Sequence, residues 1–254
     1  AAGPVVSGAI DLTNSHWQLS RAALGRFAPH TVLMNDFAAI ALCLPALTPA
    51  DYQTFGPALE GEADGTLGVL GPGTGLGVAG LVPQADGLSE RLITGEGGHV
   101  TLAAQTAREW VLIEALHERF HHVSVERLVS GPGFGLIYET LARLDGEPMT
   151  HLDDPADIAG RARAGEPRAV EAVQLFAQFL GSAAGDLALS LGATGGVYIA
   201  GGIVPRWGDL FPADLFRARF EAKGRFTDWL ARVPTRLIIH DRPAFVGLAR
   251  ALRG

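Results

Sequence analysis

Four glycines alternate through one short stretch, Gly71, Gly73, Gly75 and Gly77, with Thr74 at its middle. Bare backbone N–H groups in such a loop can approach phosphate oxygens with no side chain intervening, and the Thr74 hydroxyl adds a donor. A tight hairpin that merely needs positive φ is the plain alternative. One such turn rarely requires four glycines, so phosphate binding is the stronger reading. The substring Gly75-Leu-Gly77-Val-Ala-Gly80 also fits the dinucleotide fingerprint, but that motif needs a helix after the loop, and residues 78–82 are strand-like. Gly201 and Gly202, after the apolar run 197–200, again permit close backbone approach, suited to a flat adenine or its ribose. A nucleotide lying across a cleft would need two such places.

The polar candidates are of a different kind. Asn35 and Asp36 set an amide beside a carboxylate, able to hold a hydroxyl group and take its proton, although the same pair is a common helix cap. Glu96 and His99 sit in Gly95-Glu-Gly-Gly-His99, a loop supple enough to wrap a small polar ligand or to be only a turn. Glu126, in Ser124-Val-Glu-Arg-Leu, is by itself no more than an acid near a helix start. His117-Glu118-Arg119-Phe120-His121 spells HExxH, which on one helix face would bind zinc. It lacks a glycine-spaced third histidine, His122 crowds it, and a surface coincidence outweighs a zinc peptidase.

These residues need elements to carry them. Val5 and Val6, then residues 10–12, read as strand pieces about Ser7 and Gly8, and Ser20 as a cap before a strand at 31–34. That strand would end at Asn35 and Asp36, with a helix over 37–44 stopped by Pro45. Residues 67–70 and 78–82 form a hairpin with a glycine tip, its second strand ending at Pro83. Thr106 and Glu109 make a capping-box pattern for a helix to about Phe120, with Trp110, Ile113, Leu116 and Phe120 on its apolar side. Asp154 with Pro155 opens another helix, Pro167 a long one to about Leu191. Strands at 197–200 and 237–239 and a terminal helix at 245–252 follow. Alternation of strand and helix predicts an α/β architecture.

Composition narrows the partners. The chain has 254 residues, 48% of them apolar, enough for a real core, and its charge of −7 without a Lys/Arg cluster argues against nucleic acid. Cys43 is the only cysteine, which excludes an internal disulfide and a cysteine-rich zinc knuckle and fits a cytoplasmic setting. No apolar run reads as long enough for a membrane. The start at Ala1, on a strand-like run and not on Met, reads as the interior of a longer sequence.

Taken in order, LTNSHW, LMNDFAA, LGPGTGLGVA, GEGGHV, VSVERLVSGPG and GGVYIAGGIVPR resemble the bacterial glucokinase family over essentially the whole chain. The resemblance implies a two-lobed actin-like ATPase (ribonuclease H-like) fold, with residues 1–46 plus 240–254 in a small lobe and 47–239 in a large one. It implies phosphorylation of glucose at the 6-hydroxyl by ATP with Mg2+, in a homodimer. Asp36 would be the catalytic base, and Asn35, Glu96, His99 and Glu126 would hold sugar hydroxyls. Gly73, Thr74 and Gly75 would take phosphates, and Gly201 and Gly202 would lie by the adenosine. The repressor/kinase branch of sugar kinases commonly carries a cysteine-rich zinc site that this chain cannot build. Family members open with an Asp-x-Gly-Gly-Thr phosphate loop; none occurs before Asn14 or elsewhere, so the resemblance begins partway through the N-terminal lobe. The expectation is an incomplete N-terminal sheet or a partner-covered edge, with a non-catalytic sugar-binding remnant or sensor as the alternative function.

Overall fold

A computed structural model describes residues 5–11, 16–28, 30–83, 90–148 and 154–253. Residues 12–15, most of the LTNSHW stretch and the end of the second expected strand, lie outside that range. Two sheets are present among the described residues. The small one is an antiparallel meander of β1 (Val5–Val6), β2 (Ala9–Asp11) and β3 (Gln18–Ser20). Ser7 (φ 50°) and Gly8 (φ 77°) are both left-handed, as a two-residue hairpin turn of the primed type requires.

The large sheet contains β4 (Tyr52–Phe55), β5 (Leu67–Pro72), β6 (Leu76–Val82), β7 (Arg91–Gly95), β8 (Gly196–Ile199) and β9 (Thr235–Ile238). Their order is β4-β9-β8-β5-β6-β7. β5, β6 and β7 form an antiparallel meander, while β8 and β9 run parallel to β5. The carboxyl ends of β5, β7 and β8 therefore share one edge of the sheet with the β5–β6 turn. In open sheets of this kind ligands collect at such an edge.

Helices cover both faces. In chain order they are α1 (Arg21–Leu24), α2 (Asp36–Cys43), α3 (Ala107–His117), α4 (Val125–Leu128), α5 (Gly131–Leu144) and α6 (Pro155–Arg163). α7 (Pro167–Leu191), α8 (Ile203–Trp207), α9 (Ala213–Glu221), α10 (Thr227–Leu230) and α11 (Pro243–Ala251) complete them. Side chains alternate across the sheet with the strand period of two. Val69, Tyr198, Ala200 and Ile238 meet α2 through Ile40, Ala41 and Cys43, whereas Leu70, Val197, Ile199 and Leu237 join the main core with α5 and α7. α7 opens on Pro167 and closes on Gly192 at φ 61°, whose N–H caps Ala188 O. By length and composition α7 could cross a membrane, contrary to the sequence reading, but 67% of its most apolar window is buried inside this protein.

Three local expectations need correction. Residues 31–34 belong to neither sheet, because apolar alternation makes a strand only where a neighbour supplies a ladder. α3 ends at His117, not near Phe120. Its buried side is Glu109, Leu112, Ile113 and Leu116, with Trp110 64% exposed. The cause is Glu109: both its oxygens accept from Arg219 at 2.7 Å, and this fully buried pair turns the helix one residue from the apolar optimum. The HExxH spacing therefore runs past the helix end, and Glu118 pairs with Arg143 at 2.8 Å.

Candidate active site

The β5–β6 turn is the hub. None of Gly71, Gly73, Gly75 and Gly77 has positive φ, so turn conformation does not explain them. Close approach explains three. A Cβ on Gly71 would stand 2.6 Å from the Ala200 carbonyl carbon and 2.9 Å from Phe37 Cζ; on Gly75 it would stand 2.5 Å from Glu126 Oε2; on Gly77 it would overlap the Phe37 ring. Gly73 differs, since a Cβ there would meet nothing within 4 Å. Its bare Cα faces open space, and no packing among the described residues requires a glycine at that position.

The other elements are fitted to this hub. Asn35 caps α2, its Oδ1 accepting from Phe37 N at 2.8 Å and Ala38 N at 3.4 Å, and Asp36 Oδ1 accepts from Phe37 N at 3.0 Å. The capping reading is thus correct for Asn35, and the cap fixes the pair where Phe37 locks into Gly71 and Gly77. Glu126 leaves α4 toward the turn, its Oε2 accepting from Leu76 N at 2.8 Å. His99 Nδ1 lies 3.9 Å from the other Glu126 oxygen. Gly98 is pressed so closely on Leu76 O that a side chain would overlap it. Residues 99–102 and 122–125 are held together by Leu102 N to Val123 O (3.0 Å), Val125 N to Val100 O (2.9 Å) and His122 Nε2 to His99 O (2.8 Å). Gly201 (φ 84°) closes β8 against Pro72 O, a position with no room for a side chain.

Glu126 and His99 are therefore brought side by side. Asp36 opens α2 and Glu96 follows β7; among the described residues no side-chain contact links either to Glu126.

Beyond the turn a cavity of about 1010 Å3 opens, walled by Gly73, Thr74, Glu126, Gly131, Gly202 and Arg206 among others. Trp207, 5% exposed, floors it on Phe134 and Phe176, at ring separations of 4.7 and 5.0 Å. The N–H groups of Thr74 and Gly75 donate to no protein acceptor among the described residues. The start of α5 offers less than its position promises. Gly131 N is committed to Gly73 O (2.8 Å), Pro132 has no N–H, and Gly133 N is committed to Ser130 Oγ (3.1 Å). Gly131, Pro132, Arg206 and Trp207 were not singled out as site residues from sequence, although SGPG and VPR stand in the quoted motifs. Among the described residues no group of three or more His, Cys, Asp or Glu side chains could hold a metal ion.

Numbered from β5, strands β5 to β9 lie in the order 3-2-1-4-5, with a cavity at the carboxyl edge, and this is the actin-like ATPase fold. The glucokinase family profile matches residues 1–254, and the chain belongs to that family. It is 46% identical over 98% of its length to a glucokinase of Nitrobacter hamburgensis, of which it covers 77%. The glucokinase structure from an Antarctic psychrotroph superposes with a TM-score of 0.89 at 36% identity, over 99% of this chain and 78% of that one. A ROK-family glucokinase from Streptomyces griseus, solved with glucose and AMPPNP, shares the fold at a TM-score of 0.65 and 18% identity, over 100% of this chain and 77% of that one.

Proposed function

We propose that this chain transfers the γ-phosphoryl group of ATP to the 6-hydroxyl of glucose. The observation that carries the reading is the turn at Gly73, Thr74 and Gly75. Gly73, with its bare Cα, and Thr74 line the cavity there, the N–H groups of Thr74 and Gly75 are uncommitted among the described residues, and Glu126, with His99 beside it, bonds to the turn at Leu76 N. Asn35, Glu96, His99 and Glu126 would hold sugar hydroxyls, and a sugar lacking one would leave a polar group unpaired, the basis of selectivity. Asp36 would accept the 6-hydroxyl proton as that oxygen bonds to the γ-phosphorus and ADP departs. Gly73, Thr74 and Gly75 would bind the phosphate chain, while Gly201 and Gly202 would let the adenosine lie against backbone.

Magnesium commonly enters such sites on the nucleotide's phosphates with one or two carboxylates, and neutralises phosphate charge there. Glu126, Glu139 and Asp154 are the carboxylates that line the cavity; the described residues form no cage, so no step passes through the ion. The division into lobes 1–46 with 240–254 and 47–239 is part of the proposal. α2 and α11 pack on the large sheet, so closure would hinge or slide at that layer. Action in the cytoplasm as a homodimer, with neither membrane nor nucleic acid as partner, belongs to the same reading, and light scattering tests the dimer. The non-catalytic alternative is disfavoured by relatives named for the enzyme.

The test is ADP formation dependent on glucose, against mannose and glucosamine as competitors. Asp36→Asn should lower kcat by roughly 10²–10⁴ while glucose still binds. Equal turnover by wild type and variant would remove Asp36 from the chemistry, and no turnover by the wild type would remove the kinase reading.

A further inference from the structure

The cavity has a second wall that the scheme above does not use. Phe120 sits just past α3, its N–H bonded to Leu116 O at 2.9 Å and its ring packed on the main core. The Arg119 guanidinium carbon lies 5.1 Å from the ring centroid, and that of Arg127 lies 4.2 Å from it. All three side chains line the cavity. Neither guanidinium has a carboxylate partner among the described residues. Arg163 on the same cavity is different, since its Nη2 donates to Trp207 O at 3.1 Å. Glu126, the acid adjacent in sequence, also lines the cavity, but its Oε2 accepts from Leu76 N at 2.8 Å. In a chain of net charge −7, the cavity carries Arg119, Arg127, Arg163 and Arg206 against Glu126, Glu139 and Asp154, so its wall is positive by one charge.

We propose that Arg119, Phe120 and Arg127 form a binding subsite for a phosphate group, free or as a sugar monoester, distinct from the Gly73–Thr74–Gly75 turn. Stacking on a ring positions a guanidinium through its face and leaves its N–H fork outward, the geometry that meets phosphate bidentately. The cavity, about 1010 Å3, is at the top of the range of about 300–1,000 Å3 for small-ligand sites. The occupant is a sugar phosphate or free phosphate. Only the first rests on the kinase reading, as the product leaving the neighbouring Glu126 site; binding of free phosphate does not.

The experiment is calorimetric titration of the whole chain, saturated with ADP to fill the nucleotide's own phosphate places. Inorganic phosphate is used in one arm and glucose 6-phosphate in the other. Saturable binding in either arm, weakened at least tenfold by the Arg119→Gln/Arg127→Gln double variant, is the expected result. Arg127→Lys, which keeps the charge and loses the fork, should weaken it about threefold and serves if the double variant does not fold. Stronger binding in the sugar-phosphate arm identifies the product; equal binding identifies free phosphate. No binding to the wild type, or equal binding by the variants, overturns the subsite. A tenfold rise in KM for ATP with phosphate binding intact assigns the arginines to the nucleotide and overturns it as well.

Discussion

Replacing Gly73 with alanine separates a structural glycine from a ligand-facing one. Its φ lies outside the left-handed region and a Cβ meets nothing within 4 Å, so alanine fits the folded chain without strain. Removing glycine's freedom from the unfolded chain should then stabilise by about 0.4–1 kcal/mol, a rise in Tm of about 1–4 °C for a chain of this size. Ligand binding should move the opposite way. A methyl projects about 1.5 Å from Cα, into the place where a phosphate oxygen would rest on bare backbone. Misplacement of reacting groups by about 1 Å can cost about 10² in rate. Thermal melting, ADP titration and steady-state kinetics on one preparation should show unchanged or raised Tm, ADP affinity down at least tenfold and kcat/KM down about 10². Gly71→Ala is the control with the opposite pattern. Its Cβ would stand 2.6 Å from the Ala200 carbonyl carbon where about 3.5–4.0 Å is comfortable, so overpacking of about 1–3 kcal/mol should lower Tm by several degrees. A Gly73→Ala protein that binds ADP and turns over as the wild type does would refute the phosphate role of the turn.

Glu109 and Arg219, 0% and 8% exposed at their side chains, should not tolerate loss of one partner. Glu109→Ala leaves a buried guanidinium unpaired and should cost about 3–5 kcal/mol in urea unfolding, whereas an effect below about 1 kcal/mol would mean that water reaches the site. Burial pushes the Cys43 thiol from 9.0 up to about 12, against the opposing charge of Arg250. The folded protein should therefore resist thiol alkylation at pH 8 and react after denaturation; fast labelling of the native chain would contradict the burial. Because the raised value belongs to the folded state, this contribution is complete below pH 9 and is lost as pH rises from 9 toward 12, which pH-dependent melting against Cys43→Ala would register.

The elements were legible wherever the signal was local. Asp154 with Pro155, Pro167 with Gly192, and the hairpin ending at Pro83 each carry their own boundary chemistry, and the helices and strands begin and end within a residue or two of it. Residues 31–34 and Trp110 failed for one shared reason: a strand is completed by its neighbour, and the buried side of a helix by what lies opposite. Arg219, 110 residues away, draws Glu109 inward, and no window around Thr106 contains that fact.

For the site, sequence determined the chemistry on offer, the order of the segments and the family to which their spacing belongs. Only the folded chain decided which glycine serves which purpose. Gly71, Gly75 and Gly77 are required by Ala200, Glu126 and Phe37, which come from three remote segments, and Gly73 alone is left open toward the cavity. The wall of Arg119, Phe120 and Arg127 was likewise hidden, although all three residues stood in motifs already weighed. A residue type states what a group can do; only three-dimensional packing states which groups remain uncommitted to do it.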